Sequence, residues 1–330
     1  MLQMSSFLPK LAGGFVLAFH QIPPDKFVNL LNYLEGFEPV HLDELLARSE
    51  QGKSNSGLFA ITVDDGVGDN VRSLVKMLCT RKWPATFYIP TEYVDTHLGM
   101  AFQWWRNVQR LIPQKAIPLK RGLLDLSRPG ALEQWSYHID TLLHTSRREL
   151  YAPVIMELVD YVAREQGSDR SAFAPSEPIT WTEVAQLSKN DLVRFESHGV
   201  THTAMCALSE QELEFELKLS RDLISEHTGR LCRHLAYPFG SRRSIGSLVP
   251  VYAKKFYSSA TTMILGPVTN ANHWFLPRIP IYARNSPVFA TAKVILSGNT
   301  LTASVSDQIS TARADWRARG IGQDLPKLFG

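Results

Sequence analysis

Short apolar runs alternate along this chain with stretches in which apolar residues recur every three or four positions. Phe15-Val16-Leu17-Ala18-Phe19-His20 reads as a strand, and the stretch from Pro24 puts Phe27, Leu30, Leu31 and Leu34 on one helical face. Residues 42–47 read as a second, shorter helix. Leu58–Val63 is the next strand, Val71, Leu74, Val75 and Leu78 mark an amphipathic helix, and Ala85–Ile89 is a third strand. Later, residues 192–198 read as a strand. Ser209, with Glu212 three residues on, forms a capping box that opens a helix through about His227. Residues 234–237, 257–262 and 274–282 supply the remaining strands. Strands alternating with helices predict a parallel sheet, open or closed into a barrel.

The interval from about 91 to 180 breaks this alternation. It carries Trp104-Trp105 and helical patterns around Leu142-Leu143 and over 154–163, and reads as a mainly helical insertion after Ala85–Ile89. Insertions at that end of a barrel usually shape the substrate cleft. Residues 1–330 are otherwise read as one domain, with a C-terminal tail from about 300 that has little apolar rhythm.

Composition changes this picture little. With 44% hydrophobic and 20% charged residues in 330, the chain suits a soluble globular fold with a sizeable core. A formal charge of +3 is too small to imply nucleic acid or an anionic membrane as partner. Cys79, Cys206 and Cys232 are scattered and odd in number, which argues against a disulfide framework. The start, Met1 to Lys10, lacks a basic beginning followed by an apolar core, and no apolar run approaches the ~20 residues that span a bilayer. The expectation is a cytoplasmic protein; nothing in the sequence sets its oligomeric state.

Candidate chemistry begins with Asp64-Asp65-Gly66 at the end of Leu58–Val63. Neighbouring strand residues face opposite ways, so two acids serve one pocket only where the backbone bends, and Gly66 permits a bend. Two unneutralised carboxylates so close raise each other's pKa; a metal ion on one leaves the other free as a base. His198 and His202, spaced i, i+4, would face one side if that segment turned helically. With Asp65 they make a two-histidine, one-carboxylate set with positions open to water, which suits a catalytic divalent ion.

The sequence resembles the polysaccharide deacetylases, the NodB-homology group of carbohydrate esterase family four. The resemblance rests on Thr62-Val63-Asp64-Asp65-Gly66, Ser197-His198-Gly199-Val200-Thr201-His202 and Leu235-Ala236-Tyr237-Pro238-Phe239-Gly240, in the family's order. It implies a distorted (β/α) barrel of about seven parallel strands with a helical insertion, acting on an acetylated saccharide. It also implies Asp65, His198 and His202 as ligands of a divalent metal, zinc by ligand type, and Asp64 as general base. By the same resemblance the Phe239 N–H helps hold the oxyanion, and Arg278 orients the base. Trp104, Trp105 and Tyr237 are candidates for substrate contact; the tryptophans either form a platform for a sugar ring or anchor the insertion.

Three departures stand out. Gly199 replaces the usual Ser or Thr, so one supporting hydrogen bond is missing or supplied by Thr201. Ala236 stands where many relatives have arginine. The C-terminal Leu-x-His that usually supplies the general acid is absent, and no histidine follows Arg278. His20, ending the first strand, is the candidate acid, since Phe19-His20-Gln21-Ile22 resembles a branch in which the early histidine has that role. The other histidines, His144 among them, read as structural or exposed. The expected reaction is hydrolysis of an N-acetyl group. An O-acetyl esterase, a small-amide hydrolase and a non-catalytic saccharide binder are the alternatives.

Overall fold

Apolar runs with no polar face become strands buried along their whole length, as periodicity alone requires. The computed structural model describes residues 14–34, 36–268, 273–286, 289–290 and 293–294. Its first elements are β1 (Phe15–Phe19), α1 (Pro24–Asn32), β2 (Glu38–Pro39), α2 (Leu42–Glu50), β3 (Leu58–Val63), α3 (Gly68–Arg81) and β4 (Ala85–Ile89). Every residue of β1, β3 and β4 is buried. The chain then leaves the sheet through α4 (Ala101–Val108), β5 (Ala116–Leu119), β6 (Gly122–Asp125), α5 (Ala131–Thr145) and α6 (Arg148–Glu165). It returns by α7 (Trp181–Leu187) into β7 (Val193–Ser197), α8 (Glu210–Thr228) and β8 (His234–Ala236). Last come α9 (Arg242–Ile245), α10 (Val249–Phe256), β9 (Ser259–Thr261) and β10 (Ile279–Pro280). The capping box forms as read: Ser209 Oγ accepts from the Glu212 N–H, and the Glu212 carboxylate accepts from the Ser209 N–H.

Seven strands run in the order β10-β1-β3-β4-β7-β8-β9 with every pair parallel, and β2 adds to β3. The ends meet through one irregular segment. Leu276 bridges Thr261 in parallel, while three residues on Ile279 pairs with Leu17 of β1. The strand expected over 274–282 is thereby reduced to β10, because Pro277 has no N–H for a ladder and the segment crosses from β9 to β1. The result is the distorted (β/α) barrel anticipated above. Parallel pairing brings the C-terminal ends of the strands to one rim, where function collects in such barrels.

The insertion begins directly after β4, as expected, but is less purely helical than its pattern predicts. β5 and β6 form an antiparallel hairpin that buries Ile117 and Leu124. The insertion has its own apolar core around Trp105, Trp135, Ile155 and Leu158, separate from the barrel core. Its return is stitched to the acid loop: the Gly68 N–H donates to Glu177 O and the Ile179 N–H to Gly66 O. No helix among the described residues is long and apolar enough to cross a membrane. The first ten residues and the tail beyond 300, discussed above, lie outside the described residues.

At the barrel's other end, His234 is buried and bonded to Asp43 (3.0 Å) and Ser259 (2.8 Å), tying α2 to β8. Burial disfavours its charged form, but Asp43 and Glu196 outweigh that and raise its pKa. A raised histidine pKa stabilises the fold below the unfolded value of about 6.5, and the contribution is lost as pH rises through the folded pKa. Urea denaturation of native protein and His234→Asn at pH 5.5 and 8.5 should therefore show a stability difference that is larger at the lower pH.

Candidate active site and metal centre

Three polar side chains from two strand ends meet at the rim. Asp65 Oδ1 lies 3.8 Å from His198 Nε2 and 3.6 Å from His202 Nε2, and one ligand atom from each of the three falls within 4.8 Å of the others. The bend in the acid doublet starts at Asp65 itself, whose φ is +76°, and continues at Gly66 with φ +63°. A Cβ at Gly66 would sit 2.9 Å from Ile89 Cγ2, so glycine is required twice over, by dihedral and by space.

The histidines converge without a helix. Residues 198–204 form an irregular loop in which Gly199 (φ +77°) and His202 (φ +54°) are left-handed, so the helical turn considered from the i, i+4 spacing does not occur. The loop is shaped by Glu216 of α8, a buried carboxylate. Glu216 accepts from the Val200 N–H (2.6 Å), the Thr201 N–H (3.1 Å) and the Thr201 hydroxyl. Thr201 thus supplies a hydroxyl bond where Gly199 has none, and a Cβ at Gly199 would press to 3.0 Å from Glu216 Oε2. His198 Nδ1 faces the Ala236 carbonyl at 2.7 Å, which makes Nδ1 the donor and leaves the Nε2 lone pair toward Asp65. Burial pushes the imidazoles down, His198 to about 4 and His202 to about 3, so both are neutral near pH 7. Two neutral imidazoles and a carboxylate, buried together, fit a divalent ion of the zinc type.

Asp64 has a different partner. Arg278 Nη1 and Nη2 each donate to one of its oxygens at 2.7 Å, and Arg278 is 0% exposed. The guanidinium is itself fixed, donating to Thr262 O (3.0 Å) and Thr62 Oγ1 (3.1 Å) and lying over the Tyr88 ring. Burial would raise the Asp64 pKa, but Arg278 and, more weakly, His198 hold it well below the usual carboxylate range. His20 Nε2 stands 3.9 Å from Asp64 Oδ2, with the His20 side chain 24% exposed.

Phe239 is left-handed as well (φ +61°), and its N–H meets no acceptor among the described residues. Of the five non-glycine residues with positive φ among those described, Asp65, His202 and Phe239 belong to this site. Such conformations persist where the surroundings over-determine them. A cavity of about 140 Å³ opens between these groups and the insertion. From α4 and its C-cap, Phe102, Trp105, Arg106 and Gln109 line it, one helical face at i, i+3, i+4 and i+7; from α5, Asp140, Leu143 and His144 do so. The three aromatic candidates separate. Trp105 and Tyr237 line the cavity, whereas Trp104 packs in the insertion core with its Nε1–H on Leu98 O. The Tyr237 hydroxyl is committed to Trp274 O. Sequence reasoning missed Glu216's clamp, and it also missed His144, whose ring lies 4.6 Å from that of Phe239. Helical periodicity in α4 was the one available signal for the roof.

Because Glu216 holds the loop between the two histidines, Glu216→Gln should weaken zinc binding by about 10–100-fold, as outer partners of metal ligands do. Competition with a chromophoric chelator would measure this, with circular dichroism confirming an intact fold.

Residues 51–249 match the polysaccharide deacetylase family. That span holds Asp64, Asp65, His198, His202 and Phe239 but stops short of His20 and Arg278. No curated protein matches the sequence. Among solved structures, the chain is similar to a polysaccharide deacetylase from Bacillus cereus, at 16% identity and TM-score 0.54 over 85% of this chain and 68% of that one. It is also similar to a Streptococcus pyogenes deacetylase in complex with acetate, at 15% identity and TM-score 0.53 over 85% and 96%. A de-N-acetylase from Aggregatibacter actinomycetemcomitans aligns at 16% identity and TM-score 0.54 over 86% and 99%. At these identities the structures speak for the fold, and the family match, covering more than half of the sequence, speaks for descent. The chain belongs to the polysaccharide deacetylase family and is a hydrolase.

Proposed function

We propose that this deacetylase is metal-dependent and cleaves the acetamide bond of an N-acetylated saccharide, releasing acetate and leaving a free amine on the sugar. The observation that carries the reading is the position of Asp64. It adjoins the Asp65–His198–His202 set, is locked by Arg278, and faces His20 across 3.9 Å. A protein that only bound saccharide would have no use for such a carboxylate.

Asp65, His198 and His202 would hold the ion, and zinc suits their donor types. When bound, such an ion lowers the pKa of a water and polarises the acyl oxygen. The remaining work falls to the chain's own groups. Asp64 takes the proton from the attacking water, and Arg278 fixes both of its oxygens in direction and keeps it ionised. The free Phe239 N–H donates to the oxygen that gains charge as the tetrahedral centre forms. His20 donates a proton to the departing nitrogen. That last role favours an amide over an ester, because an amine is the poorer leaving group and must be protonated to depart. The Aggregatibacter relative is described as a de-N-acetylase, in keeping with this choice.

Acetate release from N-acetylglucosamine oligomers should exceed that from acetylated xylan or small cyclic amides, vanish with a chelator and return with zinc. His20→Ala should lower kcat by about 10²–10⁴ while zinc content stays constant. Unchanged turnover would remove His20 from the mechanism, and preference for acetylated xylan would make the enzyme an esterase.

A further inference from the structure

One side of the cleft mouth gathers cations from stretches far apart in the chain. The Tyr282 ring lies 6.4 Å from the His20 ring. Arg284 stacks over Tyr282 at 4.7 Å, and Lys293 Nζ sits 5.2 Å from the same ring. Lys26 of α1 donates to the neighbouring Ala283 carbonyl at 3.0 Å. Arg106, from α4, lines the cavity over Phe102, and its charge reaches Tyr282 along with those of Arg284 and Arg278.

Among the described residues, Lys26, Arg106, Arg284 and Lys293 have no carboxylate within the 4.0 Å of an ion pair. Asp140, across the cleft on α5, acts on Arg106 only from beyond that range.

The chemistry proposed above gives the rim a direction. The nitrogen protonated by His20 stays on the sugar, which puts the sugar beside His20 and within reach of the Tyr282 ring, 6.4 Å away, and the cations around it. Two guanidiniums offer paired N–H groups that match phosphoryl oxygens, and two ammoniums add point charges. Among the described residues Lys26 and Lys293 hold only neutral backbone carbonyls, Ala283 O and Pro280 O (2.7 Å), so with the two guanidiniums they leave positive charge that suits a group of charge near −2. We propose that this rim is a phosphoryl-binding subsite and that the substrate is an N-acetylated sugar bearing a phosphate or diphosphate. The proposal rests on the deacetylase reading for its geometry, and its test is one of binding, independent of turnover.

Calorimetry on the zinc-loaded enzyme would compare glucosamine 1-phosphate with glucosamine, neither of which can be deacetylated. The phosphate should bind at least about tenfold more tightly, a gap of about 1.4 kcal/mol, and the preference should shrink with added salt. In the Arg284→Gln/Lys293→Gln double variant the preference should vanish while glucosamine affinity and zinc content hold. Equal binding of the two sugars by the native enzyme overturns the proposal. A preference that survives the double substitution but disappears on zinc removal also overturns it, since phosphate would then be ligating the metal. Acetate release from UDP-N-acetylglucosamine and from vesicles carrying a polyprenyl-phosphate-linked N-acetylglucosamine then separates nucleotide from lipid as the phosphate's source. A kcat/KM above that of N-acetylglucosamine for either supports the subsite; parity for both counts against it. Phosphate-selective binding without any acetate release would uphold the subsite and sink the deacetylase reading instead.

Discussion

The fork from Arg278 to Asp64 is the interaction on which the rest of the structure turns. It joins the segment that closes the barrel to the end of β3, so sealing the sheet and orienting the Asp64 carboxylate are one event. A buried ion pair stabilises only when its remaining donors are matched. Here the other guanidinium donors find Thr262 O and the Thr62 hydroxyl, which in turn donates to Leu17 O in β1. Loss of one partner from such a buried pair costs about 3–5 kcal/mol, because a charge is left stranded. The Arg278 charge outweighs burial and keeps Asp64 ionised beside a second acid, a state that two bare carboxylates would not share.

Much of the fold was legible because its strands announce themselves as short unbroken apolar runs. β3 and β4 begin and end where the pattern places them, and the Ser209–Glu212 box starts α8 on the expected residue. The acid doublet was legible only together with His198 and His202, since two carboxylates before a glycine are by themselves an ordinary exit from a strand into a turn. The histidine spacing pointed to the right pair for an incomplete reason. What brings His198 and His202 together is a left-handed loop held by a carboxylate on another element, and such a tertiary clamp leaves no local trace. The β5–β6 hairpin is too short to outweigh the helices around it. The cleft roof depends on how α4 and α5 lie over the barrel, which no one-dimensional pattern contains.

The insertion divides its labour by residue. Trp104 and Trp105 both pack into the insertion's own core, but only Trp105 also reaches the cavity. A helix turns about 100° per residue, so adjacent aromatics point in different directions. With its own packed interior the insertion can present α4 and α5 as a firm wall, and loops alone would not hold such a wall in place.

The separation of Arg278 from Asp64, 214 positions, also has a temporal meaning. Contacts so distant along a polymer carry the largest loop-closure cost and tend to form late. Until β10 pairs with β1, Asp64 has no counter-ion. A barrel unzipped at that seam would leave Asp65, His198 and His202 together while stranding the Asp64 charge, so the seam and the acid loop are tied to one another across most of the polypeptide.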